Sequence, residues 1–305
     1  MNPGLNIEIA GVKFNNPIMT ASGCCGYGEE LADVFPLSKL GALVTKTITP
    51  EPRLGHPAPR TAETPSGMLN AIGLANVGID DFISEKIPFL EKQATRVIVN
   101  VGGRTIEEYV ELCRRLDGYD RVDMIELNLG CPNVNEGGMY FGADPAMTER
   151  TLREVKKVCS RPIIAKLTPN VTDITQTARA AEQGGADALS LINSLVGMTV
   201  DVESWRPTLT YNRGGLTGPA VKPVALAQVD AVYNACSLPV IGIGGIAGYR
   251  DVLEFLLVGA TAVQIGTALF IEPDAPVKIL DGLKQYMKSR TITHISEIVG
   301  QVRKY

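Results

Sequence analysis

Met124-Ile125-Glu126-Leu127 runs directly into Asn128-Leu129-Gly130-Cys131-Pro132-Asn133. The apolar run reads as a buried strand. Pro132 has a fixed φ and no backbone donor, so the chain must leave the sheet there. Cys131 therefore sits where the strand ends, held between Gly130 and Pro132, with the amides of Asn128 and Asn133 at the same spot. A thiol and two amides at a strand end make a place for chemistry. The plainer reading is a buried structural Cys beside turn-forming Asn residues, since free Cys often behaves as a small hydrophobe.

Working outward, similar runs recur at residues 17–21, 42–47, 96–100, 162–167, 188–193, 239–243 and 262–266, making eight with Met124–Asn128. Near-continuous apolar runs indicate strands buried on both faces, as in parallel sheets. Segments between them, such as 105–116, 145–159 and 173–183, show helical periodicity. Eight alternating units predict a single α/β domain over residues 1–305, a (β/α)8 TIM barrel. Residues 5–14 alternate polar and apolar around Gly11 and predict an N-terminal hairpin.

Polar residues gather at the C-terminal ends of the runs: Lys46, Asn100, Asn128, Lys166 and Asn193. Barrel enzymes place their sites at that end. A lysine in a buried strand needs a partner, because an unpaired buried charge is costly. Each residue alone could reach solvent at the rim, but five in register favour a site. Three connections, 49–76, 132–144 and 194–219, are too long for simple βα loops and follow strand ends on the same face. They are expected to wall or cover a pocket. Gly242-Ile243-Gly244-Gly245-Ile246, leading to a helix near Tyr249, and Gly266-Thr267-Ala268 end the last two strands. Glycines there let backbone N–H groups approach an anion, and barrels often bind phosphate after strands seven and eight. The spacing lacks the third glycine of a dinucleotide fingerprint.

Composition narrows the field. The chain has 305 residues, 45% hydrophobic and 20% charged, which suits one large globular domain or two small ones. A net charge of -4 gives no broad basic face for nucleic acid. No apolar run is long enough to span a membrane and the N-terminus lacks signal-peptide features, so a soluble cytoplasmic protein is expected. Six cysteines, none in a C-x-x-C pair, read as reduced thiols. No local iron–sulfur or zinc ligand cluster is present, so no metal site is expected in this chain. With two histidines, a thiol, lysine or carboxylate must carry acid–base work. Adjacent Cys24 and Cys25 read as packing residues.

Taken together, Asn128-x-Gly130-Cys131-Pro132-Asn133, Lys46-Thr47, Asn70-Ala71-Ile72-Gly73-Leu74, Lys166-Leu-x-Pro169, Ile192-Asn193-Ser194, Gly244-Gly245 and Gly266-Thr267 resemble the class 1 dihydroorotate dehydrogenases. The likeness covers essentially the whole chain. Glu136-Gly137-Gly138-Met139-x-Phe141-Gly142 resembles the B subclass. Class 2 enzymes carry serine as the base and an N-terminal extension, and this chain departs from both.

The resemblance implies FMN in the barrel mouth and oxidation of dihydroorotate to orotate in pyrimidine (UMP) synthesis. It implies Cys131 as the base for the C5 proton, with hydride leaving C6 for the flavin. Electrons would pass to NAD+ through a partner subunit carrying FAD and a [2Fe-2S] cluster, in a heterotetramer of two catalytic and two electron-transfer chains. Lys46 would act as the charge partner between flavin and substrate carboxylate. Asn70, Asn128, Asn193 and Ser194 would bind the pyrimidine, walled by Met68 and by Ala71, Ile72, Gly73 and Leu74. Lys166 would meet the flavin N1/O2 edge. Ser22, Thr47, Asn100, Ile192 and Gly218 would line FMN together with Lys46 and Asn128. Gly244, Gly245, Gly266 and Thr267 would hold its phosphate. Rival readings are a fumarate-linked class 1A enzyme, a tRNA dihydrouridine synthase (disfavoured by the net charge), a Schiff-base aldolase using Lys166, and a non-catalytic flavin- or phosphate-binding scaffold.

Overall fold

In the computed structural model, which describes residues 3–130 and 141–305, the eight buried runs close into one all-parallel barrel. Its strands are Ile18–Thr20, Ala42–Val44, Arg96–Val101, Met124–Asn128, Ile163–Lys166, Ala188–Leu191, Val240–Ile243 and Ala260–Ile265. Each pairs with its neighbour in chain order, and the eighth closes on the first through Ile265 opposite Thr20. The second strand stops earlier than its apolar run. Thr45 N and Ile48 N still donate to the third strand, at Ile98 O and Asn100 O, but Lys46 N turns away to Gly26 O at 2.8 Å. That break swings Lys46 to the mouth of the barrel.

Helices cover the outside, and their ends follow from local capping. Ile106–Asp117 starts after Thr105, whose hydroxyl accepts from Glu108 N, while Pro145–Lys156 and Ile174–Gln183 start after Asp144 and Asp173, which cap in the same way. The expected starts at 105 and 173 take in the cap residues, and the expected end at 159 runs three residues past Lys156, because caps and the last turn lie outside the regular hydrogen-bond pattern. Lys222–Tyr233, Tyr249–Leu257 and Ala275–Ser289 complete the outer layer after strands six, seven and eight. The N-terminal hairpin pairs Ile7–Ile9 with Val12–Phe14 across Ala10 and Gly11, both at positive φ, and buries Ile9 and Phe14 in the main core. No helix among the described residues is long and apolar enough to cross a membrane.

The long connections after strands two and six are not loose walls. They pair into a four-stranded antiparallel sheet over the barrel mouth, ordered Leu195–Gly197, Gly214–Thr217, Gly67–Asn70, Thr61–Thr64. Its central register sets Gly215 opposite Asn70. The sheet depends on close approach, since a Cβ on Gly67 would lie 2.0 Å from Thr217 O and one on Gly215 would lie 2.0 Å from Ser194 Oγ. His56 stacks on Tyr211 with ring centroids 4.0 Å apart, tying the two connections together again. The third long connection falls mostly on residues 131–140, outside the described residues, and so do Cys131 and Asn133.

Gly130, at the end of strand four, has a close neighbour of its own. A Cβ there would sit 2.5 Å from Thr168 Cβ and 3.0 Å from the Thr168 backbone, at the end of strand five. Gly130→Ala is therefore expected to destabilise the protein by about 1–3 kcal/mol, the usual range for overpacking. Urea unfolding checks this: the midpoint should fall with the slope unchanged.

Candidate active site

A cavity of about 760 Å³ opens at the C-terminal mouth of the barrel beneath the loop sheet. Most of the residues singled out in the sequence line it: Ser22, Lys46, Thr47, Asn70, Ile72, Gly73, Leu74, Asn128, Lys166, Ile192, Asn193, Ser194, Gly218, Gly244, Gly245, Gly266 and Thr267. Two do not. Ala71 is buried with Leu69 and Leu209 in a small core inside the loop sheet. Successive residues of an extended segment face opposite sides, so Asn70 and Ile72 reach the cavity and Ala71 between them does not. Asn100 is fully buried one layer below the mouth, with its amide donating to Glu126. Cys131 lies outside the described residues.

One run of hydrogen bonds links four strand ends along the wall. Ser194 N donates to Asn193 Oδ1 at 2.8 Å, and Asn193 Nδ2 donates to Asn128 Oδ1 at 2.9 Å. Asn128 Nδ2 donates in turn to Thr47 Oγ1 at 3.3 Å, whose hydroxyl pairs with Ser22 Oγ at 3.4 Å. Each amide is therefore held in one orientation. The Asn128 backbone is fixed as well, its carbonyl accepting from Tyr109 Oη at 2.8 Å. Asn70 Nδ2 donates to Gly215 O at 3.2 Å, tying it to the roof sheet.

Below this wall lies a polar layer that the sequence reading did not identify. Glu126, fully buried, accepts from Asn100 Nδ2 and Gln264 Nε2, each at 2.6 Å, from Ser190 Oγ at 2.8 Å, and from Lys166 Nζ at 3.4 Å. The partner that buried Lys166 requires is thus a carboxylate from strand four. A signal was present in Glu126, an acidic residue two before Asn128 and so on the same face of an apolar strand. Its partners come from four other strands; Asn100 and Lys166 stand out as polar ends of apolar runs, but nothing in the local sequence marks Ser190 or Gln264.

The two lysines differ. Lys166 is ion-paired to Glu126 and 6% exposed. Lys46 has no carboxylate partner among the described residues. Burial lowers its pKa, Cys24 nearby acts against that shift, and Arg60 adds to it. Cys24 lines the cavity, so it is more than the packing residue expected. Burial pushes its thiol up to about 11 despite Lys166 and Lys46, and the neighbouring Cys25 up to about 12. Both thiols are neutral near pH 7.

The glycine loops after strands seven and eight meet at one end of the cavity. Gly244 and Gly245 both have positive φ, and a Cβ on Gly245 would lie 2.7 Å from Lys222 Cβ and 2.9 Å from Gly218 O. The backbone N–H groups of Gly244, Gly245, Gly266 and Thr267 find no acceptor among the described residues. The start of helix Tyr249–Leu257 is already occupied. Asp251 Oδ2 accepts from Ala247 N and Gly248 N at 2.8 Å each, so this helix start offers an anion less than the sequence suggested. A cavity with free N–H groups at one end and the Lys166 ammonium at its floor fits a phosphorylated flavin.

Asp251 also accepts from Lys222 Nζ at 2.6 Å. Burial pushes its pKa up, but the bonds from Lys222, Ala247 and Gly248 outweigh burial and hold it below the ordinary value. A depressed carboxylate stabilises the fold above its unfolded pKa of about 3.9 and loses that contribution as pH falls through the folded value. Asp251→Asn should therefore lower stability by about 1–3 kcal/mol at pH 7. Denaturation at a series of pH values should show the gap from wild type closing below pH ~3.9.

The model of the family described as dihydroorotate dehydrogenase matches residues 4–287. The chain is 52% identical over 298 residues to the dihydroorotate dehydrogenase B (NAD(+)), catalytic subunit of Geobacter sp. strain M21, covering 98% of both chains. Proteins of the same name from Geotalea daltonii and Alkaliphilus metalliredigens are 50% identical over 301 residues and 49% identical over 298. With matches along nearly its full length, and with a barrel that brings the family-like residues to one mouth, this chain belongs to the dihydroorotate dehydrogenase family.

Proposed function

We propose that this chain is the catalytic subunit of a B-type, NAD+-linked dihydroorotate dehydrogenase, oxidising (S)-dihydroorotate to orotate in pyrimidine synthesis. The observation that carries the proposal is the wall Ser22–Thr47–Asn128–Asn193–Ser194, with Lys46 and Lys166 in the same cavity as the glycine loops. Dihydroorotate is a small anion with ring amides and a carboxylate. Fixed amides and a cation in one pocket suit it, and they disfavour analogues that would leave those groups unpaired.

FMN would be held by Lys166, Ser22, Thr47, Ile192 and Gly218 along its ring and chain, and by Gly244, Gly245, Gly266 and Thr267 at its phosphate; when bound it supplies the two-electron acceptor. Lys46 binds the substrate carboxylate. Asn70, Asn128, Asn193 and Ser194 orient the pyrimidine amides, their own orientations set by the bonds above. Cys131 takes the C5 proton, which is acidified by the adjacent carbonyl. It follows Gly130 directly, three residues after Asn128 on the cavity wall. A free thiol has a pKa of about 8.5, close enough to neutrality to act as a base after a modest shift. The relatives are named catalytic subunits of NAD+ enzymes, which supports a second chain; that chain would bear FAD and [2Fe-2S], in a two-plus-two heterotetramer. The aldolase reading fits less well, because Lys166 is ion-paired to Glu126 rather than free as an amine nucleophile.

Anaerobic addition of dihydroorotate to the purified chain tests the proposal: the flavin spectrum should bleach. FMN that stays oxidised would point to another substrate or to a binding scaffold, and a colourless protein that cannot take up FMN would overturn the reading. Turnover with fumarate but not with NAD+ and the partner chain would move it to the A type.

In single turnover, Cys131→Ala should slow flavin reduction by about 10²–10⁴-fold while retaining the FMN spectrum. The wild-type rate should rise with pH through the thiol range, and an unchanged rate in the variant would remove Cys131 from this role. Orotate affinity should report Lys46. Binding needs its proton, and burial lowers its pKa, so affinity should weaken with rising pH before ~10.4 is reached. Lys46→Gln should weaken orotate binding at least ~10-fold, the loss of one charge-assisted bond, and flatten that pH dependence.

A further inference from the structure

We propose that Glu126 is a positioning residue for the flavin site, setting the polarity of the floor on which the cofactor rests; this inference builds on the FMN reading above. TIM-barrel interiors are ordinarily filled by layers of branched apolar side chains. Here one layer holds a carboxylate with donors from four other strands: Asn100 from strand three, Lys166 from five, Ser190 from six and Gln264 from eight.

Those bonds decide what is left over. An amide that gives its N–H to Glu126 must present its oxygen elsewhere, and Gln264 Oε1 and Asn100 Oδ1 are both buried without a partner. Gln264 and Lys166 also line the cavity. Lys166 has three ammonium hydrogens, and Glu126 takes one bond at 3.4 Å. The floor therefore offers a flat ligand one donor group, from Lys166, next to a Gln264 amide whose orientation Glu126 holds. The pyrimidine edge of an oxidised flavin carries carbonyl acceptors, which a donor at the floor matches. Glu126 also sets the charge. It offsets the Lys166 cation, and without it that cation would act in full on the negative charge that a flavin gains on reduction.

Glu126→Gln has nearly the same shape but removes the charge and replaces one acceptor oxygen by an NH2. One of the amides facing it must then turn round or lose its bond. The experiment is reconstitution of the apoprotein with FMN, followed by measurement of the FMN dissociation constant and the two-electron midpoint potential. FMN binding at least tenfold weaker is expected. A midpoint potential higher by at least a tenfold change in the reduction equilibrium, about 30 mV for two electrons, is also expected. Glu126→Asp keeps the charge and should keep the potential near that of wild type. A folded Glu126→Gln protein with lower thermal stability but unchanged FMN affinity and potential would overturn the proposal, leaving Glu126 a structural residue only. If Glu126→Gln does not fold, Gln264→Leu decides. It removes the amide that Glu126 holds at the cavity floor while leaving the carboxylate three donors, so FMN affinity should fall at least tenfold, and unchanged affinity would overturn the proposal. Bleaching by dihydroorotate is read separately, so failure of the substrate assignment would not be mistaken for failure of this one.

Discussion

A carboxylate buried inside a closed barrel constrains everything around it. Moving an ion from water into a protein interior costs several kcal/mol even after relaxation, so Glu126 is tolerable only where donors surround it. It has four, and each comes from a different strand. The strands must therefore close in one register for the charge to be satisfied. The same contacts bring Lys166 and Gln264 to the edge of the cavity. Closure of the barrel and the polarity of its mouth are thus coupled through one side chain.

Above that layer the site is rigid for a second reason. The asparagines on the wall bond to one another and to hydroxyls, so their orientations are set before a ligand arrives. Such preorganisation lets a site discriminate by hydrogen bonding, because a ligand that fails to match leaves fixed polar groups unsatisfied. The roof sheet adds to it. Asn70 reaches the cavity from a strand held in place by Gly215, and Gly215 can lie there because it has no Cβ to strike Ser194. Close backbone approach at glycines is what allows two connections far apart in the chain to share one sheet.

The cavity also divides its charges. Lys166 is compensated by a carboxylate, whereas Lys46 has none among the described residues and is disfavoured as a cation by burial. A carboxylate placed beside Lys46 would relieve that cost. Cys24 and Cys25 stay neutral because burial outweighs the nearby lysines, and they add little charge to the site near pH 7.

The barrel was legible in the amino-acid sequence because its strands are buried on both faces, and that burial writes uninterrupted apolar runs such as Met124 to Leu127. The polar residues that end those runs, among them Lys46, Asn128, Lys166 and Asn193, were legible for a related reason: they break the apolar pattern at one end only, and all four line the cavity. Ala71 and Asn100 do not line the cavity, since a motif names neighbours in the chain but does not say which way each faces. Glu126 with Ser190 and Gln264, and the roof sheet that joins residues 61–70 to 195–217, were decided by tertiary structure alone. Their partners lie tens to more than a hundred residues apart. Hydrogen bonds at such separation leave no periodic trace in the chain, and only closing the barrel brings those groups within reach of one another.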